Sequence, residues 1–316
     1  MADILVYSEQ LSTAKELTYK AKEFAGALGL GASAAVLGPD ASAKAPDLAA
    51  VGADKIYVSE DPALAELAID VVADALAQIA KEADATYVLL GSTRLGKELA
   101  GRLAQKLDAG AATDVNAVEV ADGVLVAAHY SFGGATVARE TIDTPVKVLA
   151  VMPKTFEIDA PSAGAGEVVT PSLSLSPSPV KLVGRKEKEG ESVNLEGAVN
   201  LVCIGRGFGT KEDIELANQL CAALNAELGC TKSLCDWEWL PEARLVGLSG
   251  AKTKPSLYVS VGISGQVQHT VGVGTSKIIA CINKDEKALM FGASDYGIVG
   301  DLYEVLPVLT EKLKAL

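Results

Sequence analysis

Three glycine-punctuated turns carry most of the chemistry that residue types and spacing offer in this 316-residue chain. GISGQVQH, INKD and DYGIVGDL follow one another between Pro255 and Pro307. Each comes at or just after an apolar run: LYVSVGI, KIIACI and the short LMFGA. Glycine admits positive φ and lets a backbone approach a ligand closely. Strand-end turns that open onto helix N-termini present N–H groups to phosphates. The pattern therefore predicts a nucleotide-type cofactor along the carboxyl edge of a parallel sheet. Gly205-Arg206-Gly207 stands in a similar place, between the apolar run Val199–Ile204 and a helical pattern. It lacks the full GxGxxG with a downstream ribose acid, so alone it reads as a tight β-α turn with a solvated arginine. By spacing alone His269 is a histidine satisfied locally at a helix start. Asn283 reads as a turn residue and Asp301 as the N-cap of the last helix, and either role is compatible with ligand contact.

No constellation suggests acid–base or nucleophilic catalysis on an organic substrate. His129 lies in a strand pattern without a nameable partner and reads as structural. Cys203, Cys221, Cys230, Cys235 and Cys281 form no CxxC, and no histidines cluster near them, so they read as free, buried structural thiols. A formal charge of −13 makes nucleic acid and anionic membrane surfaces poor partners, because neither counterion release nor lipid attraction favours so acidic a chain. MADILVYSEQ runs directly into a strand pattern without a secretory leader, and no uncharged apolar stretch is long enough to span a bilayer. A cytoplasmic location without stable membrane insertion is the expectation.

The elements that must position those turns alternate. Ile4–Ser8, Ala34–Leu37, Lys55–Ser59, Tyr87–Gly91, Val124–His129 and Val146–Met152 read as strands. Ala14, Leu17, Ala21, Phe24 and Leu28 recur at helical spacing, Pro62–Glu82 reads as an Ala-rich helix and Thr93–Leu107 as another. This alternation predicts a largely parallel α/β domain. Between Asp159 and Glu191 four prolines interrupt the pattern; Leu173 and Leu175 alternate with serines as in an edge strand, and Lys186–Glu191 is charge-rich. We therefore expect residues 1–194 to form an N-terminal α/β domain that ends in this connection, and residues 195–316 a second domain. There Ile214, Ala217, Leu220, Cys221, Leu224 and Leu228 mark one long helix ended by Gly229.

The order and wording of the C-terminal turns resemble the α subunit of electron transfer flavoproteins, including FixB-type proteins, strongly from about Val199 onward and in element order before that. The resemblance implies a C-terminal flavodoxin-like, doubly wound FAD domain. It makes Arg206 an FAD contact and lines the cofactor with Ser264, Gly265, Gln266, Val267, Gln268 and His269, the last near the pyrimidine end of the flavin ring. A donor or cation there would stabilise the reduced, negatively charged ring. Val246, Gly247, Leu248, Ser249 and Gly250 (VGLSG) stand where the family usually has VGQTG: Ser249 keeps a hydroxyl for flavin N5, whereas Leu248 loses a polar contact. Thr231 and Lys232 stand where it usually has Ser-Arg, keeping the hydroxyl and the charge but not the planar guanidinium. Asn283, Asp301 and Leu302 match positions on the AMP side of FAD. CDWEWLPEARLVGLS looks more FixB-type than mitochondrial. The implied partner is an electron transfer flavoprotein β subunit carrying AMP or a second FAD. The implied donor is an acyl-CoA dehydrogenase, and the implied acceptor a quinone oxidoreductase, another reductase or ferredoxin. Leu248 and Lys232 motivate a second reading, an adenine-nucleotide-binding regulatory subunit without redox-active flavin. A stand-alone NAD-dependent oxidoreductase is disfavoured, because Ile4–Ser8 leads into Glu9–Ser12 without a glycine fingerprint.

Overall fold

The computed structural model describes residues 3–66, 68–161, 163–184 and 193–315. It divides into two units, one of Met1–Ser131 with Val137–Lys186, the other of Phe132–Thr136 with Glu187–Leu316. In the first unit the chain runs β1 (Asp3–Tyr7), α1 (Leu11–Leu28), β2 (Gly31–Leu37), α2 (Ala41–Ala49), β3 (Lys55–Ser59), α3 (Ile69–Glu82) and β4 (Ala85–Gly91). It continues through α4 (Arg94–Leu107), β5 (Gly110–Ala121), β6 (Val124–Ser131), β7 (Thr136–Glu140), β8 (Lys147–Val151) and β9 (Glu167–Val169). The strands form one nine-stranded sheet in the order β7-β6-β5-β8-β4-β1-β2-β3-β9. It is parallel from β5 through β9, and β6 pairs antiparallel to β5. Period-2 alternation along β1 feeds two cores: Ile4 and Val6 pack with Leu17 and Phe24, whereas Leu5 and Tyr7 pack with Leu76 and Ile79. A sheet buried on both faces requires near-continuous apolar strands, and the burial of all five β1 residues fits that rule.

Several local expectations are corrected here. The Pro62–Glu82 pattern is two elements. The Asp61 carboxylate accepts from the Ala63 N–H at 2.8 Å and closes a short 3₁₀ turn over Pro62–Leu64, and the α-helix begins only after Ala68, whose backbone is extended. Apolar spacing runs through the break because it does not register one residue's dihedrals. Leu173 and Leu175 pack against the core but form no strand, since the Ser174 backbone is held at both its N–H and its C=O by the Gln78 side-chain amide. The edge strand is β9, beside β3. The twelve-residue β5 lies in a stretch to which the pattern assigned no strand. The charge-rich Lys186–Glu191 lies outside the described residues.

The second unit runs β10 (Asn200–Ile204), α5 (Ile214–Leu224), β11 (Glu227–Cys230), α6 (Lys232–Asp236), β12 (Leu257–Val261), α7 (Val267–Thr270), β13 (Ile278–Asn283), α8 (Leu289–Gly292), β14 (Tyr296–Val299) and α9 (Leu302–Lys314). Its strands are all parallel, in the order β11-β10-β12-β13-β14. Numbered from β10 this is 2-1-3-4-5, the flavodoxin-like doubly wound order. Val202 and Ile204 face a core with Ala217, Leu220, Leu302 and Leu306, and Leu201 and Cys203 face a second core with Tyr258, Ile279 and Met290.

The expected long helix to Leu228 stops earlier. Asn225 adopts left-handed backbone (φ 48°, ψ 52°), and the Ala226 N–H bonds back to the Cys221 carbonyl at 2.9 Å. Leu228 therefore belongs to β11, and Gly229 is a strand residue tight against Val246 rather than a helix stop. LMFG forms α8, and the strand near DYGIVGDL is its own YGIV.

Candidate cofactor site

Strand order reverses between β10 and β12, so the connections leaving their carboxyl ends diverge and leave a crevice. A cavity of about 350 Å³ lies there, wholly within the second unit. Its walls come from the ends of four strands: Gly205 to Gly207 after β10, Thr231 to Ser233 after β11, Gly262 to Ser264 after β12, and Asn283 at the end of β13. Val246 to Ser249 and the turn carrying Gln266, Gln268 and His269 complete it.

Two of these turns are pressed together backbone to backbone. The Gly207 N–H donates to the Gly262 carbonyl at 3.0 Å, and the Gly205 N–H donates to the Val261 carbonyl at 3.1 Å. A Cβ on Gly207 would sit 2.6 Å from the Gly262 Cα, and Gly262 itself has φ +62°. Glycine is required at this crossing for both space and conformation. The Thr231 N–H donates to the Ile204 carbonyl and the Val246 N–H to the Cys230 carbonyl, both at 3.0 Å, so the walls after β10, β11 and β12 are tied into one frame. Asn283 joins it, donating its amide to the Ile263 carbonyl at 2.8 Å and accepting from the Asp285 N–H.

His269 is buried, and both ring nitrogens are engaged. Nδ1 lies 3.1 Å from the Val246 carbonyl, and Nε2 lies 2.6 Å from the Tyr258 hydroxyl. A carbonyl only accepts, so Nδ1 carries the proton and Nε2 accepts from the phenol. Burial pushes the His269 pKa down to about 4 against the opposing pull of the Val246 carbonyl, and burial holds the Tyr258 phenol well above its ordinary value. The imidazole is thus neutral at pH 7 and acts as a bracket between β12 and the Val246 turn. A histidine satisfied inside the protein and a histidine in the cavity wall are here the same residue. The Leu248 N–H fixes that turn further by donating to the Gln268 carbonyl at 2.6 Å.

The cationic side chains differ. Arg206 is exposed on the wall and has no ion pair or side-chain hydrogen bond among the described residues. The Lys232 ammonium reaches Asp236 at 3.0 Å and Glu242 at 3.7 Å, and the Asp236 hydrogen bond holds its pKa up. Thr231, Ser249 and Ser264 add hydroxyls. Asp285 contributes a carboxylate whose Oδ1 accepts from the Lys287 N–H at 3.0 Å. Hydroxyls, amides, glycine-exposed backbone and one unpaired guanidinium make a donor-rich crevice at a strand edge, which fits a dinucleotide such as FAD.

Of the residues expected at the site, Arg206, Thr231, Lys232, Val246, Gly247 and Leu248 line the cavity, as do Ser249, Ser264, Gln266, Gln268, His269 and Asn283. Gly265, Val267, Asp301 and Leu302 do not. Gly265 (φ +81°) lies against the Met290 backbone, where a Cβ would approach to 2.2 Å. Asp301 caps α9, accepting from the Tyr303 N–H at 2.9 Å, and Leu302 is buried below the glycine crossing. Residue reasoning passed over Ser233, Leu245 and Ala288 in the wall, and covered Ile263 and Asp285 only as parts of GISGQVQH and INKD. Ser233 adjoins a named residue and could have been found by adjacency, whereas Leu245 and Ala288 look like ordinary core positions. Among the described residues no acidic, histidine and cysteine cluster could hold a metal, and no helix is long and apolar enough to cross a membrane.

Comparison with known proteins agrees with this geometry. Residues 5–176 match the family model described as the electron transfer flavoprotein domain, and residues 194–274 match the electron transfer flavoprotein FAD-binding domain. Protein FixB of Escherichia coli O127:H6 is 40% identical over 261 residues, covering 82% of each chain. Protein FixB of Escherichia coli O81 is 42% identical over 228 residues, 72% of this chain and 73% of the relative. Protein FixB of Shigella dysenteriae serotype 1 is 39% identical over 261 residues and covers 82% of each chain. The FAD-binding match spans β10 through α7, and so includes the glycine crossing, Arg206 and the His269 bracket. With matches over both its units and about 40% identity to FixB over most of its length, this chain belongs to the electron transfer flavoprotein family, as an α-subunit-type, FixB-like member.

Proposed function

We propose that this chain holds FAD in the switch-point cavity and serves as the α subunit of a heterodimeric electron carrier. The observation that carries the reading is the coincidence of a donor-lined cavity, at the one place where a 2-1-3-4-5 sheet opens, with the stretch matching an FAD-binding domain. The cofactor, when bound, supplies the electron-transfer chemistry. The chain supplies the rest. The backbone N–H groups of Arg206, Ile263 and Ser264, beside the glycine N–H groups already bonded within the crossing, and the Arg206 guanidinium would meet the phosphates. Thr231, Ser249, Ser264 and Gln266 would orient the polar edges of the cofactor by hydrogen bonds. His269 would hold the Val246–Ser249 wall in place from behind. Asn283 would brace the adenylate side, with Asp301 and Leu302 supporting the glycine crossing through α9.

The partner in this reading is a β subunit, the donor a dehydrogenase of acyl-CoA type, the acceptor a quinone oxidoreductase or other reductase, and the compartment the cytoplasm. A colourless adenine-nucleotide-binding subunit is the alternative, and one observation favours it: Lys232 is committed to Asp236 and Glu242, and Leu248 brings an apolar side chain, 44% exposed, to the same wall. The visible spectrum of the chain purified from its own host with its companion separates the two. Twin flavin bands support the electron carrier. A colourless complex that releases only adenine nucleotide refutes it in favour of the alternative.

A further inference from the structure

Cys230 and Cys235 bracket the Thr231–Ser233 wall of the cavity, and their sulfurs lie 3.4 Å apart. Cys230 ends β11 and is wholly buried; Cys235 lies in α6 and is partly accessible. The other three thiols are buried, and no second sulfur–sulfur approach of this kind occurs among the described residues. A disulfide spans about 2.05 Å between sulfurs, so the pair is roughly 1.4 Å short of bonding, within reach of side-chain rotation. Lys232 lies between the two cysteines in sequence, and its ammonium is held by Asp236 at 3.0 Å.

We propose that Cys230 and Cys235 are a reversible dithiol modification site that closes to an intramolecular disulfide with a low-molecular-weight disulfide as oxidant, and so cross-links the two ends of the Thr231–Ser233 wall. Cys235, the accessible sulfur, deprotonates and attacks one sulfur of the oxidant. That sulfur–sulfur bond breaks, one small thiolate leaves and takes up a proton, and a mixed disulfide forms on Cys235. Cys230 then gives its proton to solvent and attacks the Cys235 sulfur, releasing the second small thiol. Two protein thiols lose two protons and two electrons, and the oxidant gains them to become two thiols. Burial raises the Cys230 pKa, which lowers its thiolate fraction and makes its attack the slow step. The cross-link would hold β11 and α6 together at the segment that carries Thr231 and Lys232, and with it the position of those side chains in the cavity.

Oxidised glutathione is the probe. The full chain is titrated with it, unfolded, alkylated and analysed by intact mass and peptide mapping. The expected result is the loss of two of the five alkylatable thiols, a mass decrease of two hydrogens, and a cross-linked peptide holding residues 230 and 235, all reversed by dithiothreitol. Cys230→Ser should stall the reaction with glutathione retained on Cys235, and Cys235→Ser should abolish it. Five free thiols at every glutathione ratio in the wild-type chain, or stable glutathione on wild-type Cys235 without closure, would overturn the proposal. The wild-type readouts need neither variant to fold nor any cofactor to be present, so they stand apart from the FAD reading. Flavin absorbance retained by oxidised and reduced chains then reports whether closure reaches the cavity.

Discussion

His269 ties the acid sensitivity of the second unit to a bracket behind the cofactor cavity. Its pKa is 6.5 in the ordinary state and about 4 when folded, because burial disfavours the cation. As pH falls, the unfolded chain takes the proton first. The stabilisation is therefore complete above pH 6.5, declines as pH drops towards 4, and is constant below that. Linkage puts the loss at about 2 kcal/mol by pH 5 and about 3 kcal/mol by pH 4. The facing groups, Tyr258, Cys203 and Cys281, all have raised pKa values and stay protonated through this range. Trp237 and Trp239 are the two tryptophans of the chain and both lie in the second unit, so their fluorescence follows its unfolding alone. Urea unfolding at pH 8 and pH 5, compared with His269→Gln at matched cofactor occupancy, isolates the contribution. With a slope of about 2 kcal/mol per molar urea, the wild-type midpoint should fall by about 1 M more than that of the variant. Equal midpoint losses in the two proteins would refute the buried, neutral imidazole.

Tyr258→Phe removes the donor to Nε2 and leaves a buried acceptor unpaired, which should cost about 1–3 kcal/mol in the same unfolding assay; an unchanged midpoint would mean the phenol bond contributes nothing. Arg206→Ala should weaken FAD about tenfold or more without lowering the unfolding midpoint of the apoprotein, because a charged hydrogen bond is worth ~1.5–3 kcal/mol and the side chain is exposed. Full flavin retention after gel filtration would remove Arg206 from the site. Gly265→Ala must place a Cβ against the Met290 backbone at positive φ, so a loss of at least about 2 kcal/mol is expected, and a stable, flavin-replete variant would contradict the geometry. Asp301→Ala should cost about 1 kcal/mol as a lost helix cap, read as a lower melting temperature of the tryptophan signal.

Much of this protein was legible from residue order. Apolar runs such as LYVSV and KIIACI must be strands covered on both faces, and glycines at their ends must be turns, so a parallel sheet with a crevice at its carboxyl edge followed directly. Family resemblance located Arg206 and the turn to His269 in the cavity wall. Tertiary structure alone decided what depends on neighbours distant in sequence. Strand order places the crevice between β10 and β12, because pairing is chosen by packing across the sheet and not by proximity along the chain. The left-handed backbone at Asn225 converts the end of an expected helix into β11, an outcome that helical spacing cannot register. The tautomer of His269 was set by Tyr258 and the Val246 carbonyl, eleven and twenty-three residues away, and its neutral charge by burial. The approach of Cys230 to Cys235 depended on the turn from β11 into α6. Local pattern reports which residues must be buried, whereas their partners, and hence their chemistry, are fixed only when the sheet assembles.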